Sequence, residues 1–273
     1  MSHPLAAQGI AAVLAGALVG CVVAQRPTEV PDTTEAVVVV GSAALGEPLN
    51  GIARHPFVAL RDAGATEWER WEVMCCPNGS RLSTVRRAWT DPTSDRGGGG
   101  GDVRFHRVLT GASAERAAAC VRQQAPEYPR RDRYLAWPGP NSNTFVDWIA
   151  RKCDLHVDLP APSIGKDYRG LVGISGTSGG TGVQLETPLV GAKIGLTEGV
   201  EAHLLGMAIG VDVWPPALIV PVGPGRIGFA DRSPFRAHRP SARDPAAAIT
   251  SAPAAAPATP AVAEGTSVAP VCY

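Results

Sequence analysis

The stretch Gly139-Pro140-Asn141-Ser142-Asn143-Thr144-Phe145 constrains the fold of this chain more than any other segment. Pro140 fixes its own φ angle, and the Gly-Pro pair ends the strand predicted before it. Asn and Ser are the residue types that bind the free N–H groups at the start of a helix. From Phe145 to Cys153 the apolar residues recur at helical spacing, so one face of the predicted helix is expected to be buried.

The start of this predicted helix carries a hydroxyl flanked by two amides. The positive end of a helix dipole stabilises an anion or a developing oxyanion. We therefore predict ligand-binding roles for Asn141, Asn143 and Thr144. The alternative for the asparagines is turn chemistry, in which they bond to the local backbone. The alternative for Thr144 is a structural role as the first helical residue.

Ser142 is the candidate nucleophile of this segment, and its alternative is a helix cap. His55 is the candidate general base, because the unperturbed pKa of histidine lies close to working pH. A single His before Pro56 is otherwise an ordinary edge residue. Glu72, or Glu69, is the candidate group that orients His55 as a third catalytic member, with a solvated strand face as the alternative.

Lys166 and Asp167 are predicted either to close over the pocket or to pair with each other at the surface. Glu201 and His203 lie on one face of a predicted strand and could touch a metal ion. Two such residues without a third ligand nearby do not define a metal site. We therefore predict neither a metal nor another cofactor.

The N-terminus has the features of a targeting signal. The apolar run from Ile10 to Val23 is about as long as the apolar region of a signal peptide, and it contains Leu18-Val19-Gly20-Cys21 near its end. This stretch resembles a bacterial lipobox, with Cys21 as the lipid attachment site. Met1–Gln8 contains no Lys or Arg, so an uncleaved anchor helix or a misassigned start codon is the alternative. In each case we expect a membrane-anchored protein of the cell envelope that faces the periplasm.

Composition narrows the classes of partner. Lys and Arg together number 25, as do Asp and Glu, and a chain without a basic excess is not expected to bind nucleic acid. The cysteines lack zinc-finger spacing, and Cys75-Cys76 are adjacent. A disulfide between Cys120 and Cys153 is one expectation for an oxidising periplasm, and buried free thiols are the other.

The order of predicted elements indicates an α+β fold with an antiparallel sheet and one domain. We divide the chain into a signal peptide (1–20), a tether (21–35), the domain (36–229) and a disordered Ala/Pro-rich tail (230–273). Strands are predicted over residues 36–41, 56–61, 68–74, 81–89, 103–109, 134–137, 183–196 and 200–213. Ser113–Gln124 is predicted as a helix capped by Ser113, and the five glycines Gly97–Gly101 as a surface insertion. Gly173–Gly182 is predicted as a mobile loop.

Several motifs resemble an uncharacterised bacterial family, domain of unknown function 3750. They are the runs Tyr134…Trp137-Pro138-Gly139-Pro140-Asn141-Ser142-Asn143-Thr144-Phe145, Ile164-Gly165-Lys166-Asp167-Tyr168, Glu198-Gly199-Val200-Glu201 and Gly225-Arg226-Ile227-Gly228. The resemblance covers most of residues 50–229, and it implies no known activity.

A more remote resemblance is to circularly permuted papain-like hydrolases and acyltransferases. These proteins place a His on an early strand and an Asn-Cys-x-x-Phe motif at the start of the nucleophile helix. The corresponding residues here are His55, Asn141 and Phe145, with Ser142 in the position of the Cys. This resemblance implies a permuted papain-like fold, although a Ser hydroxyl is a far weaker nucleophile than a thiolate.

Two functions follow as expectations. The first is an envelope lipoprotein that acts as a hydrolase or acyltransferase on amide or ester bonds of cell-wall peptides or lipids. The second is a non-catalytic binding or scaffold lipoprotein that uses the same pocket. The oligomeric state stays open.

Overall fold

The structure is a computed structural model. It describes residues 29–46, 49, 53–75, 83–93, 102–214, 216–223 and 225–228. The predicted signal peptide with Cys21, the glycine insertion at 97–101 and the tail from residue 230 lie outside the described residues. Within them, no helix is long and apolar enough to cross a membrane.

The first half of the domain is a five-stranded antiparallel sheet, here called sheet A. Its strands run in the spatial order β4-β3-β2-β1-β5, with the bounds β1 Val37–Ala44, β2 Arg54–Arg61, β3 Glu69–Cys75, β4 Ser83–Trp89 and β5 Val103–Thr110. The β-branched run at the start of β1 favours a strand, and β1 is buried along its whole length in the middle of the sheet. The alternation and β-branching of the sequence thus predicted all five strands to within a few residues.

Two helices cover one face of sheet A: α1 (Gly111–Gln124) and α2 (Ser142–Lys152). Their apolar stripes meet Val38, Val40, Val58 and Leu60 of the sheet. The helices are joined by a disulfide between Cys120 and Cys153, whose Cα atoms are 5.7 Å apart. The disulfide confirms one of the two expectations for these cysteines. Full burial of a Val or Leu side chain stabilises a fold by about 1.5–3 kcal/mol, so this interface holds the helices firmly.

The opposite face of sheet A is also buried. Phe57 and Phe105 pack there with Val37 and Val39. Arg70 and Glu72 of β3 point to the same face and are at most 1% exposed. The solvated strand face that was the alternative for Glu72 and Glu69 is therefore wrong, because both residues are buried. The guanidinium of Arg70 stacks 3.9 Å from the Phe57 ring centroid, which allows a charged group to be buried beside an aromatic one.

The second half of the domain is a seven-stranded antiparallel sheet, sheet B, in which each strand pairs with the next along the chain. Its strands are β6 Gly173–Gly176, β7 Gly182–Glu186, β8 Val190–Gly195, β9 Gly199–Leu204, β10 Met207–Asp212, β11 Ala217–Ile219 and β12 Arg226–Gly228. The sequence predicted only two long strands here, over residues 183–196 and 200–213. Each of these segments forms two strands joined by a turn. The predicted loop at 173–182 contains β6.

Two further predictions of local structure were wrong. Residues 134–137 form no strand, and a series of bends over residues 136–141 leads into α2. Helix α1 begins two residues earlier than predicted, with Thr110 at its cap position. The Ser113 hydroxyl donates to the Thr110 carbonyl at 2.7 Å, so it closes the first turn rather than capping the helix. The antiparallel α+β fold itself is confirmed.

Sheet B is oriented with its charged side chains inward and its apolar side chains outward. On β8, Lys193 is 2% exposed, while its neighbour Ile194 is 57% exposed. The segment that connects α2 to β6 covers the inner face of sheet B, and Leu159 and Ala161 of this segment are buried. Gly191 makes room for the inward side chain of Glu186, because a Cβ atom on residue 191 would lie 1.8 Å from a carboxylate oxygen of Glu186. Charged groups thus form much of the interior of this half of the domain, beside a small apolar cluster of Ala161, Ala208 and Ile219.

Candidate functional site

The start of α2 is closed by its own side chains. Asn141 is the N-cap, and its side-chain oxygen accepts from the backbone N–H groups of Asn143 at 2.9 Å and Thr144 at 3.2 Å. The Thr144 hydroxyl accepts in turn from the Asn141 N–H at 3.1 Å, which completes a reciprocal capping box. The helix begins at Ser142, so the prediction that Thr144 is the first helical residue was wrong.

The same side chains fasten the helix to the loop at Ile164 and Gly165. The Asn141 amide donates to the carbonyls of Ala136 at 3.0 Å and Ile164 at 2.9 Å. The Asn143 amide also donates to Ile164 at 2.8 Å, and the Thr144 hydroxyl donates to the Gly165 carbonyl at 2.7 Å. These donors are therefore occupied by protein carbonyls, and each of the three side chains is at most 5% exposed. The geometry favours a structural latch over a ligand pocket.

Gly165 is required for this latch. Its φ is +84°, in the region that favours glycine. A Cβ at this position would lie 2.6 Å from the Asn141 amide nitrogen and from the Pro138 carbonyl oxygen. Only glycine therefore lets the loop approach the helix cap closely.

Ser142 and His55 lie on opposite sides of sheet A. Helix α2 packs against the face formed by Val58 and Leu60. His55 has the parity of Phe57 and Ala59, which point to the other face. Ser142 is 4% exposed, and in the described part of the chain its hydroxyl bonds to no histidine or carboxylate. The predicted nucleophile and base are thus separated by the sheet, because a strand sends neighbouring side chains to opposite faces.

His55 does meet the carboxylate proposed to orient it. Its Nε2 lies 3.0 Å from Glu72 Oε2, and Arg70 Nε donates to the same oxygen at 2.8 Å. Burial would raise the pKa of Glu72, but the hydrogen bond and charge of His55 and the charge of Arg70 outweigh it and lower this pKa. Glu72 is therefore an ionised, buried carboxylate that lies between the imidazole of His55 and the guanidinium of Arg70.

Glu69 serves a different purpose. Its two oxygens accept from Trp71 Nε1 at 2.6 Å and from Arg122 Nε of α1 at 2.9 Å, and Arg87 pairs with it as well. It ties α1 to the sheet on the helix-covered face and does not approach His55.

Lys166 and Asp167 pair with each other, as one alternative predicted, but they do so in the interior. Lys166 Nζ lies 2.9 Å from Asp167 Oδ2, and both residues are at most 3% exposed. Burial would lower the pKa of Lys166, but Asp167, Glu201 and Asp158 raise it well above its usual range. Burial would raise the pKa of Asp167, but Lys166 and Lys193 hold it well below its usual range. The expected surface location of this pair was wrong.

Residues of sheet B extend this pair into a buried charge network, which consists of Asp158, Lys166, Asp167, Glu186, Lys193, Glu201 and His203. Lys193 Nζ lies 3.0 Å from both Asp158 Oδ1 and Glu201 Oε1. Glu201 also lies 3.5 Å from Lys166 Nζ. Burial would raise the pKa of Glu201, but the two lysines lower it to about 2. Every charge in the network therefore has an opposite charge close by.

His203 is held between carboxylates. Its Nδ1 lies 2.5 Å from Glu186 Oε1, and its Nε2 lies 3.3 Å from Glu201 Oε2. Burial would lower the pKa of His203, but Asp167 and the hydrogen bonds to Glu186 and Glu201 raise it to about 9. The imidazole is therefore protonated at neutral pH and donates from both ring nitrogens.

Asp167, Glu201 and His203 place potential ligand atoms within 4.8 Å of one another. The chemistry of the surrounding groups opposes a metal ion. Both carboxylates are already neutralised by lysine ammonium groups, and a protonated imidazole offers no lone pair. The cavity beside His203 has a volume of about 10 Å³, which is no larger than one water. The donor set fits internal ion pairs better than a metal centre.

A cleft with a volume of about 420 Å³ lies beside the C-terminal end of α2. Its lining includes Arg151, Lys152, His156, Thr177 and Ser178. None of the predicted site residues lines this cleft. The Thr177 hydroxyl already accepts from two backbone N–H groups, at 3.2 Å and 3.0 Å.

The comparisons with known proteins identify part of the chain. A family model described as "Protein of unknown function (DUF3750)" matches residues 35–168. The chain carries a domain of this family. The DUF3750 match covers sheet A, both helices and the loop with Lys166 and Asp167, and it ends before sheet B. The sequence motifs at residues 198–228 therefore lie beyond it.

Neither the curated proteins nor the solved structures gave a match to the chain. The papain-like resemblance therefore depends on the sequence motif alone, and its central residue pair is not assembled. The main feature that sequence reasoning missed is the buried charge network. Its signal was present in the sequence as Gln184, Glu186, Lys193, Glu201 and His203, all of which fall at alternate positions of apolar strands.

Proposed function

We propose that this protein is a non-catalytic binding or scaffold lipoprotein of the cell envelope, tethered to a membrane through its N-terminal segment. The observation that carries the non-catalytic part is the position of Ser142. Its hydroxyl lacks a base within the described residues, and the sheet lies between it and His55. A serine without a base is a poor nucleophile at neutral pH.

Two observations support a location in the cell envelope. The Cys120–Cys153 disulfide is typical of proteins that fold in an oxidising compartment. The N-terminal sequence carries the apolar run and the lipobox-like Leu18-Val19-Gly20-Cys21. The predicted tether (21–35) would then keep the folded domain close to the membrane surface.

A hydrolase or acyltransferase is the competing function, and one observation favours it. His55 and Glu72 form a buried imidazole–carboxylate pair with 3.0 Å between Nε2 and Oε2, as in the orienting half of a catalytic triad. In that case Ser142, His55 and Glu72 would act on amide or ester bonds of cell-wall peptides or envelope lipids.

The experiment compares the full-length chain with its Ser142→Ala and His55→Ala variants on ester and amide substrates. We expect no turnover above background by the wild type. Turnover that is lost in Ser142→Ala, with the disulfide and the thermal midpoint unchanged, would establish the enzyme instead.

The anchor is tested separately in bacterial cells. We expect the mature N-terminus to begin at a lipid-modified Cys21 by mass spectrometry, and Cys21→Ser to leave the precursor unprocessed. A mature chain that keeps residues 1–20 without lipid would refute the lipoprotein assignment.

A further inference from the structure

Sheet B presents one continuous apolar surface to its surroundings. We call this surface the apolar face and define it by the exposed strand residues Ile174, Gly176, Val183, Leu185, Val190, Ala192, Ile194, Val200, Ala202, Leu204, Ile209, Val211, Leu218 and Ile227. All of them are aliphatic residues or glycine. Within the described residues, no charged or hydrogen-bonding side chain points outward from these strands.

The strand register joins these side chains into rows that cross the sheet. One row runs through the paired residues Val183, Ile194, Val200, Val211, Leu218 and Ile227. A second row runs through Ile174, Leu185, Ala192, Ala202 and Ile209. Strand spacing and rise give the sheet a projected area of roughly 500 Å², near the upper end for apolar patches on soluble monomers.

The buried side chains on the inner face of sheet B determine the orientation of the apolar face. Lys193, Glu201 and His203 alternate with the outward residues on β8 and β9. These charged groups are paired within the buried network, and turning the sheet over would break those pairs. The outward position of the apolar residues is therefore a stable property of the fold.

We propose that the apolar face lies on the surface of a lipid bilayer and contacts its acyl chains. This inference rests on the proposed function, which places the domain at the end of a membrane anchor. The tether (21–35) is short, so the face would meet the bilayer at a high effective concentration. A lipid anchor and an apolar protein surface together provide the two signals that stable membrane attachment requires.

The chemistry of the apolar face favours lipid over a protein partner. Specific protein interfaces carry about one hydrogen bond per 100–200 Å² and are enriched in Tyr, Trp and Arg. The strands of the apolar face offer neither directional groups nor aromatic anchors. Hydrocarbon requires no directional partner, so an aliphatic surface suits it.

Tryptophans stand at both ends of β10, where a membrane-bound sheet would meet lipid headgroups. Trp214 is 59% exposed in the turn after β10, and Trp137 is 54% exposed. The Trp137 indole N–H donates to the Leu205 carbonyl in the turn before β10. Tryptophan is enriched at the membrane–water interface, because its ring is apolar and its N–H is polar.

The test places a benzophenone amino acid at Val200 in the full-length chain. The purified protein is reconstituted into vesicles of phosphatidylethanolamine and phosphatidylglycerol that contain a trace of radiolabelled phospholipid. The matched control carries the same probe at Trp89, which is 62% exposed on the edge strand of sheet A. Preserved folding of each variant is checked by the intact Cys120–Cys153 disulfide.

We expect at least about fivefold more labelled lipid on the Val200 variant than on the Trp89 control after irradiation. Ile194→Glu in the Val200 background should reduce the lipid adduct severalfold, because burying a charge in hydrocarbon is unfavourable. A cross-linked product of twice the mass would show that a second copy covers the face and would overturn the proposal. Lipid labelling equal to that of the control would overturn it as well.

The outcomes separate this inference from the proposed function. If Cys21 is lipidated in cells but Val200 acquires no lipid adduct, the anchor stands and the lipid-binding face is refuted. If Val200 is labelled by lipid while the mature chain lacks a lipidated Cys21, the face stands and the lipoprotein assignment fails.

Discussion

The Lys193 ammonium lies 3.0 Å from the Glu201 carboxylate on the neighbouring strand, and both side chains are buried. The two residues are register partners of β8 and β9. Their position on the inner face determines that Ile194 and Val200, the next register pair, point outward. One ion pair thus connects the charged interior of sheet B to its apolar exterior.

Removing one member of this pair should destabilise the protein strongly. We expect Lys193→Met to lower the free energy of unfolding by about 3–5 kcal/mol, because it leaves the buried carboxylate of Glu201 without the ammonium group 3.0 Å away. Denaturant titration of the full chain measures this change. The matched control is Asp62→Ala, which removes a largely exposed partner of Arg122 and should cost less than about 1 kcal/mol. Equal effects of the two substitutions would contradict the burial of the network.

The raised pKa of His203 should make stability depend on pH. Its pKa is about 9 in the folded protein and about 6.5 in the unfolded chain, so the folded state binds the proton more tightly. The stabilisation is complete below pH 6.5 and disappears as the pH rises through about 9. We expect the thermal midpoint to fall across this window.

His203→Gln should remove most of this pH dependence, whereas His156→Gln on the exposed loop should preserve it. Scanning calorimetry between pH 6 and pH 10 provides the measurement. A wild-type midpoint that rises over the same range would have the opposite sign to the one expected and would contradict a protonated His203.

The helix latch predicts different effects for neighbouring residues. Asn141→Ala removes the N-cap, leaves the Ala136 carbonyl without its side-chain donor and leaves the Ile164 carbonyl with only the Asn143 amide, so we expect a loss of about 2–4 kcal/mol. Ser142→Ala should change stability by less than about 0.5 kcal/mol, because its hydroxyl has no described hydrogen bond to lose. Urea unfolding of both variants tests this contrast. A larger effect at Ser142 than at Asn141 would be inconsistent with the latch.

Reduction of the disulfide should weaken the contact between α1 and α2. The bond closes a loop with a sequence separation of 33, for which chain-entropy arguments give about 2–4 kcal/mol. We expect the thermal midpoint to fall in dithiothreitol and to fall equally in the Cys120→Ala/Cys153→Ala double variant. If the double variant itself responded to reductant, another cysteine pair would be responsible.

The sequence predicted sheet A well, because β-branched runs and alternation locate strands directly. The sequence did not indicate which face of sheet A each side chain of β2 points to, since Phe57 and Ala59 are as apolar as Val58 and Leu60. The alternation along β2 therefore did not predict the face of sheet A on which His55 lies. In the structure, His55 and Ser142 lie on opposite sides of this sheet. The cap chemistry of Asn141 followed from residue type, but its bonds to Ile164 join segments that are distant in sequence.

Sheet B was harder to predict for two physical reasons. The turn between β9 and β10 has Leu205 at a φ of +52°, a conformation that sequence patterns assign to Gly or Asn. The alternation of Lys193 with Ile194 predicts a strand but not which side faces water. Soluble proteins usually place the charged side outward, and here the paired charges reverse that expectation.

The orientation of sheet B is tested most directly by labelling the lysines of the native protein with an amine-reactive acetylating reagent. The chain contains only Lys152, Lys166 and Lys193, so mass spectrometry resolves every site. We expect rapid acetylation of the exposed Lys152 and protection of Lys166 and Lys193 until the protein unfolds. Acetylation of Lys193 at the rate of Lys152 would place the charged face in water and contradict an outward apolar face.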